Sequence, residues 1–413
     1  MTNASGAIPN NGWNKPLSLL TISGCTPETF FAEYFEAKAL PVIRDDAGYF
    51  CGLLSLEDVD RFITTRPVAY PDLFLVNAER EIKSSEYTNP GDAIDVVKLY
   101  QLHDKGATIV LNQFHRSHVP LTELCAALEL EFSAPFQTNI YLTPPHAKGF
   151  KPHFDTHDVF VLQLHGSKRW RLYGTPITLP LSGQASEALQ DNPGPSSLEV
   201  DLHAGDTLYI PRGLVHDAPS LDEPSLHATV GILSYTWTDL LLEALANTVL
   251  GDATFRRALP HELFQPGFDR TFARGTFRNL LARLAETADA DAALDVFIDE
   301  LINSRRPRLY GQMAQLQALD KLTLKSLVSL RSGFAYALIE EPSVIRLQCY
   351  GNAISFPQSA MSAVRYAISQ RDFRVGDLPD ELDDASKLVL VRRLVREGVL
   401  AMIEAPAGRI PRA

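Results

Sequence analysis

Only four cysteines (Cys25, Cys51, Cys125 and Cys349) occur in 413 residues, and no two form a Cys-x-x-Cys pair. A disulfide framework and a cysteine-based zinc site are both excluded by that pattern. No run approaches the 18 apolar residues of a membrane span, and no basic segment followed by an apolar stretch opens the chain. The expectation is a cytoplasmic protein. Positive charge is also in short supply: 38 Lys and Arg face 50 Asp and Glu, a net charge of −12. That balance argues against a general nucleic-acid or anionic-membrane binder, and is compatible with a basic protein partner. Internal repeats and low-complexity tracts are absent as well. What remains, 45% hydrophobic and 21% charged residues, is a globular chain long enough for two or three domains.

The chemistry concentrates between Gly149 and Tyr235. His153 and Asp155 are two apart, so a β-strand there would project an imidazole and a carboxylate from one face. This spacing alone is at chance level. The weight comes from a second piece, Gly205-Asp206-Thr207-Leu208-Tyr209-Ile210-Pro211-Arg212-Gly213-Leu214-Val215-His216. Gly205-Asp206 suits a tight turn, Thr207–Ile210 a short strand, and Pro211 and Gly213 a bend returning His216 to the mouth of a barrel. Two His and one carboxylate make an open three-ligand site of the kind that holds non-haem Fe(II).

This Gly-x5-Pro-x-Gly-x2-His pattern resembles the second motif of the cupins, with Ser220 where the motif usually has Asn. The first cupin motif departs further: Asp155 replaces its second His, and Val159 and Phe160 stand where a Glu ligand is expected. The whole frame resembles the JmjC-type 2-oxoglutarate oxygenases, and within them the ribosomal oxygenases. Lys168 lies fifteen residues after His153 and Asn139 fourteen before it, both as in that family, with Tyr141 two beyond Asn139. The resemblance implies Fe(II) on His153, Asp155 and His216. It implies 2-oxoglutarate with its distal carboxylate on Lys168, near Asn139 and Tyr141, with Thr229 on a later strand as a further contact. It implies a protein substrate, an Arg or His side chain of a ribosomal protein. The residues alone leave open a peptide or amino-acid hydroxylase, a demethylase, a cupin enzyme independent of 2-oxoglutarate, and a non-catalytic binding scaffold. His115 and His118, which follow a strand, read as a hydrogen-bonded loop pair rather than a second metal site.

In chain order, residues 1–15 read as loosely attached. Thr26-Pro27 starts a Phe-rich helix, Ala39–Arg44 is a strand, Ser55 caps a short helix, and Asp92–Gln101 reads as helix. Strands then come closely: Gln137–Thr143, Val159–Leu164, Arg169–Tyr173, Leu198–Leu202 and a half-buried Leu226–Ile232, with Ser182–Ser197 as a loop. Asp239–Ile302 reads as helical. Phe277, Leu280, Leu281 and Leu284, and again Leu294, Phe297, Ile298 and Leu301, fall at helical spacing and read as core-facing. Arg305, Arg306 and Arg308 sit in a solvated linker. A hairpin about Gly351-Asn352, a Pro357–Gln370 helix, a helix capped by Asp384 and a Val399–Ile403 strand complete the chain. Lys387, Arg392, Arg393 and Arg396 read as a solvated helix face. The expected class is α+β: a double-stranded β-helix (jelly-roll cupin) domain with its N-terminal extension at 1–235, a helical region at 236–310 and a winged helix at 320–405. By resemblance the helical region forms a homodimer.

Overall fold

The computed structural model describes residues 15, 17–184, 193–331 and 333–403. The reading of residues 1–15, apart from residue 15, and the centre of the Ser182–Ser197 loop lie outside the described residues. The chain divides into two compact units, Met1–Ser234 and Tyr235–Ala413.

The first unit opens with α1 (Leu19–Ser23) and α2 (Pro27–Glu33), the latter capped by Thr26 with Pro27 in its first turn. Then come β1 (Leu40–Val42) and α3 (Leu56–Thr65), which starts at a reciprocal Ser55–Asp58 capping box. β2 (Leu73–Val76), α4 (Val96–Asp104), β3 (Thr108–Leu111) and α5 (Val119–Phe132) follow. α4 begins four residues later than the sequence pattern suggests, because Asp95 and not Asp92 accepts the first-turn amide, from Lys98. The remaining strands are β4 (Phe136–Thr143), β5 (Asp158–His165), β6 (Ser167–Leu172), β7 (Leu198–His203), β8 (Thr207–Ile210), β9 (His216–Asp217) and β10 (Ser225–Ile232).

These strands form a seven-stranded sheet, β1-β8-β5-β10-β4-β3-β2, and a three-stranded sheet, β7-β6-β9. Strand alternation separates two cores. On one face of the large sheet Phe160, Leu162, Tyr209, Ile140, Ala228 and Val230 pack with residues of the N-terminal helices. Phe30 of α2 is central there, with ring centroids 5.3 Å from Phe160 and 4.9 Å from Tyr209. On the other face Val159, Val161, Leu208 and Ile210 meet Trp170, Leu172 and Leu202 of the small sheet. The large sheet is therefore covered on both sides. β10, expected to be half-buried, is buried along nearly its whole length, and its polar residues face the space between the sheets rather than solvent.

Two glycines are required by the backbone. Gly205 has φ +98°, and a Cβ there would fall 2.0 Å from the Asp46 carbonyl oxygen; Gly213 has φ +86°, with the Ile177 carbonyl oxygen 2.3 Å away. They make the two bends that the motif reading requires.

The second unit starts with α6 (Trp237–Gly251), α7 (Thr271–Thr287) and α8 (Ala290–Asn303). The core-facing reading of these helices is corrected. α7 buries none of its residues within the chain: Phe277 is 63% and Leu281 50% exposed. On α8 only Ala293 and Ile302 are buried. A helical apolar stripe marks one face of a helix; it does not say that the chain's own core covers that face. α9 (Gln312–Ala318), β11 (Leu327–Leu330), β12 (Ala337–Glu340), β13 (Val344–Cys349), β14 (Asn352–Pro357), α10 (Met361–Ser369), β15 (Asp372–Arg374), α11 (Asp384–Arg396) and β16 (Leu400–Met402) follow. They form two three-stranded sheets, β15-β11-β16 and β12-β13-β14. The helices α10 and α11 pack Val364, Ala367, Val391 and Leu394 into this unit's core.

Three local expectations are corrected here. Asp383 and not Asp384 caps α11. Lys387 is not solvated but 3% exposed and ion-paired with Asp380 at 2.6 Å. Arg305 and Arg308 are half-buried, and Arg305 donates to the Gly333 carbonyl. Among the described residues no helix is long and apolar enough to cross a membrane.

Candidate metal and anion site

His153, Asp155 and His216 come together, with one ligand atom from each lying within 4.8 Å of the others. His216 Nε2 and Asp155 Oδ2 are 3.8 Å apart, wide enough to admit a metal ion at about 2.1 Å from each. Among the described residues this is the one such group of three His, Cys or acidic side chains. His115 and His118 do not form another: His115 Nδ1 accepts from the Thr138 amide, and the His118 ring stacks on Phe114.

The backbone that presents His153 and Asp155 is not the regular strand expected from their spacing. Both lie on the irregular connection between β4 and β5, which touches β9 through a single bridge. There the His153 amide donates to the His216 carbonyl (3.1 Å) and the His216 amide to the His153 carbonyl (2.8 Å). The Gly213 amide donates to the Asp155 carbonyl at 2.9 Å. Two ligands distant in sequence are thus tied directly through the main chain.

Each imidazole is also oriented. His153 Nδ1 lies 2.9 Å from the Lys151 carbonyl oxygen and His216 Nδ1 3.0 Å from that of Leu214. A carbonyl only accepts, so both Nδ1 atoms carry the proton and both Nε2 lone pairs are left for a cation. Burial, reinforced by neighbouring His153, pushes the His216 pKa down to about 4, so the ring is neutral at pH 7. Burial opposes ionisation of Asp155, but the imidazoles of His216, His153 and His157 outweigh it, and its pKa stays below the ordinary value. Two imidazoles that turn their Nε2 atoms away from the main chain and one carboxylate are a donor set that suits a divalent transition metal.

A cavity of about 200 Å³ opens beside these residues, lined among others by Lys168, Trp170, Tyr141, His227, Thr229, Thr108 and Phe150. Lys168 points inward from β6, is 4% exposed, and makes no hydrogen bond or ion pair among the described residues. Burial lowers its pKa to about 7. A desolvated ammonium without a counter-ion is costly unless an anion joins it. Two further buried polar atoms in the lining lack partners among the described residues, Trp170 Nε1 and His227 Nδ1. The His227 ring stacks on Tyr141 at 4.8 Å, and its pKa is held well below the usual value by burial and by Lys168.

Tyr141 and Thr229 line the cavity as expected, on β4 and β10. Asn139 stands one step back. It is opposite Thr229 in the β4–β10 register, its Oδ1 accepts from the Gln113 amide at 2.9 Å, and its side chain hydrogen-bonds Tyr141. Sequence reasoning did not single out His227, Trp170 or Phe150. The period-two rule offered a signal for His227, which lies two before Thr229, and for Trp170, two after Lys168. A larger open groove of about 440 Å³ runs along α7, but it is lined mainly by exposed side chains such as Thr254, Thr276 and Asn279 and brings no metal-ligating cluster together.

Comparison with known proteins agrees with this geometry. A family model described as the JmjC domain matches residues 111–240. Ribosomal oxygenase 1 of Danio rerio is 31% identical over 303 residues, 68% of this chain and 55% of that protein. Ribosomal oxygenase 2 of Bos taurus is 33% identical over 312 residues, 72% of this chain and 66% of that protein. The chain therefore spans about half to two thirds of the length of these relatives. Among solved structures, the Escherichia coli ribosomal oxygenase YcfD in complex with cobalt and 2-oxoglutarate aligns with a TM-score of 0.51 at 16% identity, covering 92% of this chain and 98% of that one. At that identity the likeness shows the fold.

Proposed function

Because the chain belongs to the JmjC-domain ribosomal oxygenases, we propose that it is an Fe(II)- and 2-oxoglutarate-dependent oxygenase that hydroxylates a protein side chain, an Arg or His of a ribosomal protein. The observation that carries the reading is Lys168: a buried ammonium without a counter-ion among the described residues, facing the same cavity as a His–Asp–His triad. A dianion that chelates a metal at one end and meets a cation at the other fits both features at once.

His153, Asp155 and His216 would hold the iron through Nε2, a carboxylate oxygen and Nε2. Bound there, iron with 2-oxoglutarate supplies O2 activation: 2-oxoglutarate becomes succinate and CO2, and one oxygen atom becomes the hydroxyl of the target. The chain supplies placement. Lys168 receives the distal carboxylate, Tyr141 and Thr229 face it across the cavity, and Asn139 fixes the Tyr141 hydroxyl. Val159, Val161 and Trp170 form a dry wall beside the reacting centre, which excludes water. Phe150, 37% exposed and packed on His153 at 5.4 Å, marks the side from which a target residue enters.

We further propose that the exposed apolar faces of α7 and α8, including Phe277, Leu281, Leu294 and Ile298, form a homodimer contact, and that the α10–α11 region with the β15-β11-β16 sheet is a winged helix.

The test is anaerobic reconstitution with Fe(II) followed by titration with 2-oxoglutarate, reading the weak visible charge-transfer band of the chelate. A band in the wild type that weakens in Lys168→Ala supports the reading. Bound iron without a band points to an oxygenase independent of 2-oxoglutarate, and failure to bind iron points to a binding scaffold.

A further inference from the structure

We infer that Asp217 is a positioning residue that latches the segment carrying His153 and Asp155 onto the strands carrying His216 and Lys168. The inference rests on the metal-site reading above. It starts from the irregular backbone of that segment. Between the end of β4 at Thr143 and the start of β5 at Asp158 no ladder of strand hydrogen bonds holds the chain. Metal ligands on such a segment need other restraints if their geometry is to persist before the metal arrives.

Asp217 follows His216 directly, and its side chain is 1% exposed. Arg171 of β6 stands opposite it in the β6–β9 register and closes a bidentate pair, Nε to Oδ1 at 2.8 Å and Nη2 to Oδ2 at 2.9 Å. The Tyr173 hydroxyl donates to Oδ1 at 3.3 Å. Lys148 reaches the same carboxylate from the irregular segment, two residues before Phe150, and forms an ion pair with Oδ2. One carboxylate therefore joins the three pieces of chain that build the site. A buried carboxylate holding two cations through charge-assisted bonds resists displacement, because moving it away would leave two neighbouring cations without their shared counter-charge.

A second attachment lies beside it. The Ser220 hydroxyl accepts from the Ala147 amide at 2.9 Å and lies 3.0 Å from the Ala147 carbonyl, while the Ser220 amide donates to that carbonyl at 2.9 Å. Ser220 is the position at which the barrel motif departs from its usual Asn, and here a hydroxyl staples the segment just ahead of Lys148. Neither Asp217 nor Ser220 is among the metal-ligating group. They act on the ligands through the backbone they restrain.

The test titrates Co(II) into metal-free protein and follows visible absorption, so that no turnover is needed. Lys148→Met removes one arm and leaves the Arg171 pair in place. Lys148 is a quarter exposed, so this variant is expected to keep its circular dichroism spectrum. Substitutions behind metal ligands weaken binding by about 10–100-fold. The expected result is Co(II) binding about tenfold weaker in Lys148→Met, weaker again in Asp217→Asn, and restored in Lys148→Arg. A Lys148→Met protein that binds Co(II) as tightly as the wild type overturns the latch and leaves the metal site standing. A wild type that does not bind Co(II) overturns the metal site itself, and the latch with it.

Discussion

Replacing Lys168 with Met should weaken 2-oxoglutarate binding and, in the same protein, stabilise the unliganded fold. The ammonium is 4% exposed, and burial takes its pKa from 10.5 to about 7. At roughly 1.36 kcal/mol per unit, that shift is on the order of 5 kcal/mol of unfavourable burial. The sign follows from the direction. A cation whose folded pKa is depressed destabilises fully below about pH 7. The penalty shrinks as pH rises from there and vanishes above the ordinary lysine value. Met fills similar space without charge, so the unliganded variant should melt several degrees higher at pH 6.5, the difference closing toward pH 10. Ligand binding moves the opposite way. Removing one partner of a buried ion pair costs about 3–5 kcal/mol, or roughly two to four orders of magnitude in Kd. Calorimetric titration of the Co(II)-loaded protein and thermal melts across pH read the two effects separately. A Kd within about threefold of wild type, or a melting temperature that falls with affinity, would refute the assignment of Lys168 as an anion partner.

The 2-oxoglutarate affinity of the wild type should itself depend on pH. Binding raises the Lys168 pKa from about 7, so Kd is flat below that pH and rises by up to about tenfold per unit above it until the bound-state pKa is passed; a flat profile from pH 6 to 9 contradicts this. His153→Ala should abolish the Co(II) absorption bands while the circular dichroism spectrum stays native, since this half-buried side chain is not part of the hydrophobic clusters of its unit. Leu281→Asp on the exposed face of α7 should convert a dimer to monomers in analytical ultracentrifugation, and an unchanged sedimentation coefficient rules that helix out of the contact. Ser220→Ala leaves the Ala147 amide without its acceptor, a loss of about 1–3 kcal/mol that calorimetric unfolding should register.

The triad was legible in the amino-acid sequence because turn chemistry is local. Gly205 and Gly213 each satisfy a backbone demand that a residue with a Cβ could not, and with Pro211 just past the end of β8 they aim His216. The pairing of β10 with β4 was not legible. Nothing near His227 in sequence announces that Tyr141 will stack on it, since strand order is set by packing across the whole barrel. The same limit applies to Asp217, an unremarked acid until Arg171 and Lys148 converge on it. For His153 and Asp155 the structure brings the two residues together with His216, but not on the backbone expected: a two-residue spacing is compatible with a strand and with the irregular segment found here. α7 shows the opposite failure, in which a clean helical stripe was visible but the chain's own core does not cover it.

The paired main-chain hydrogen bonds between His153 and His216 separate what can vary from what cannot. Their donors and acceptors are common to nearly every amino acid, so this tie is independent of side-chain identity, unlike the contacts of Asp217. Side chains at the rim can therefore differ while that main-chain tie persists.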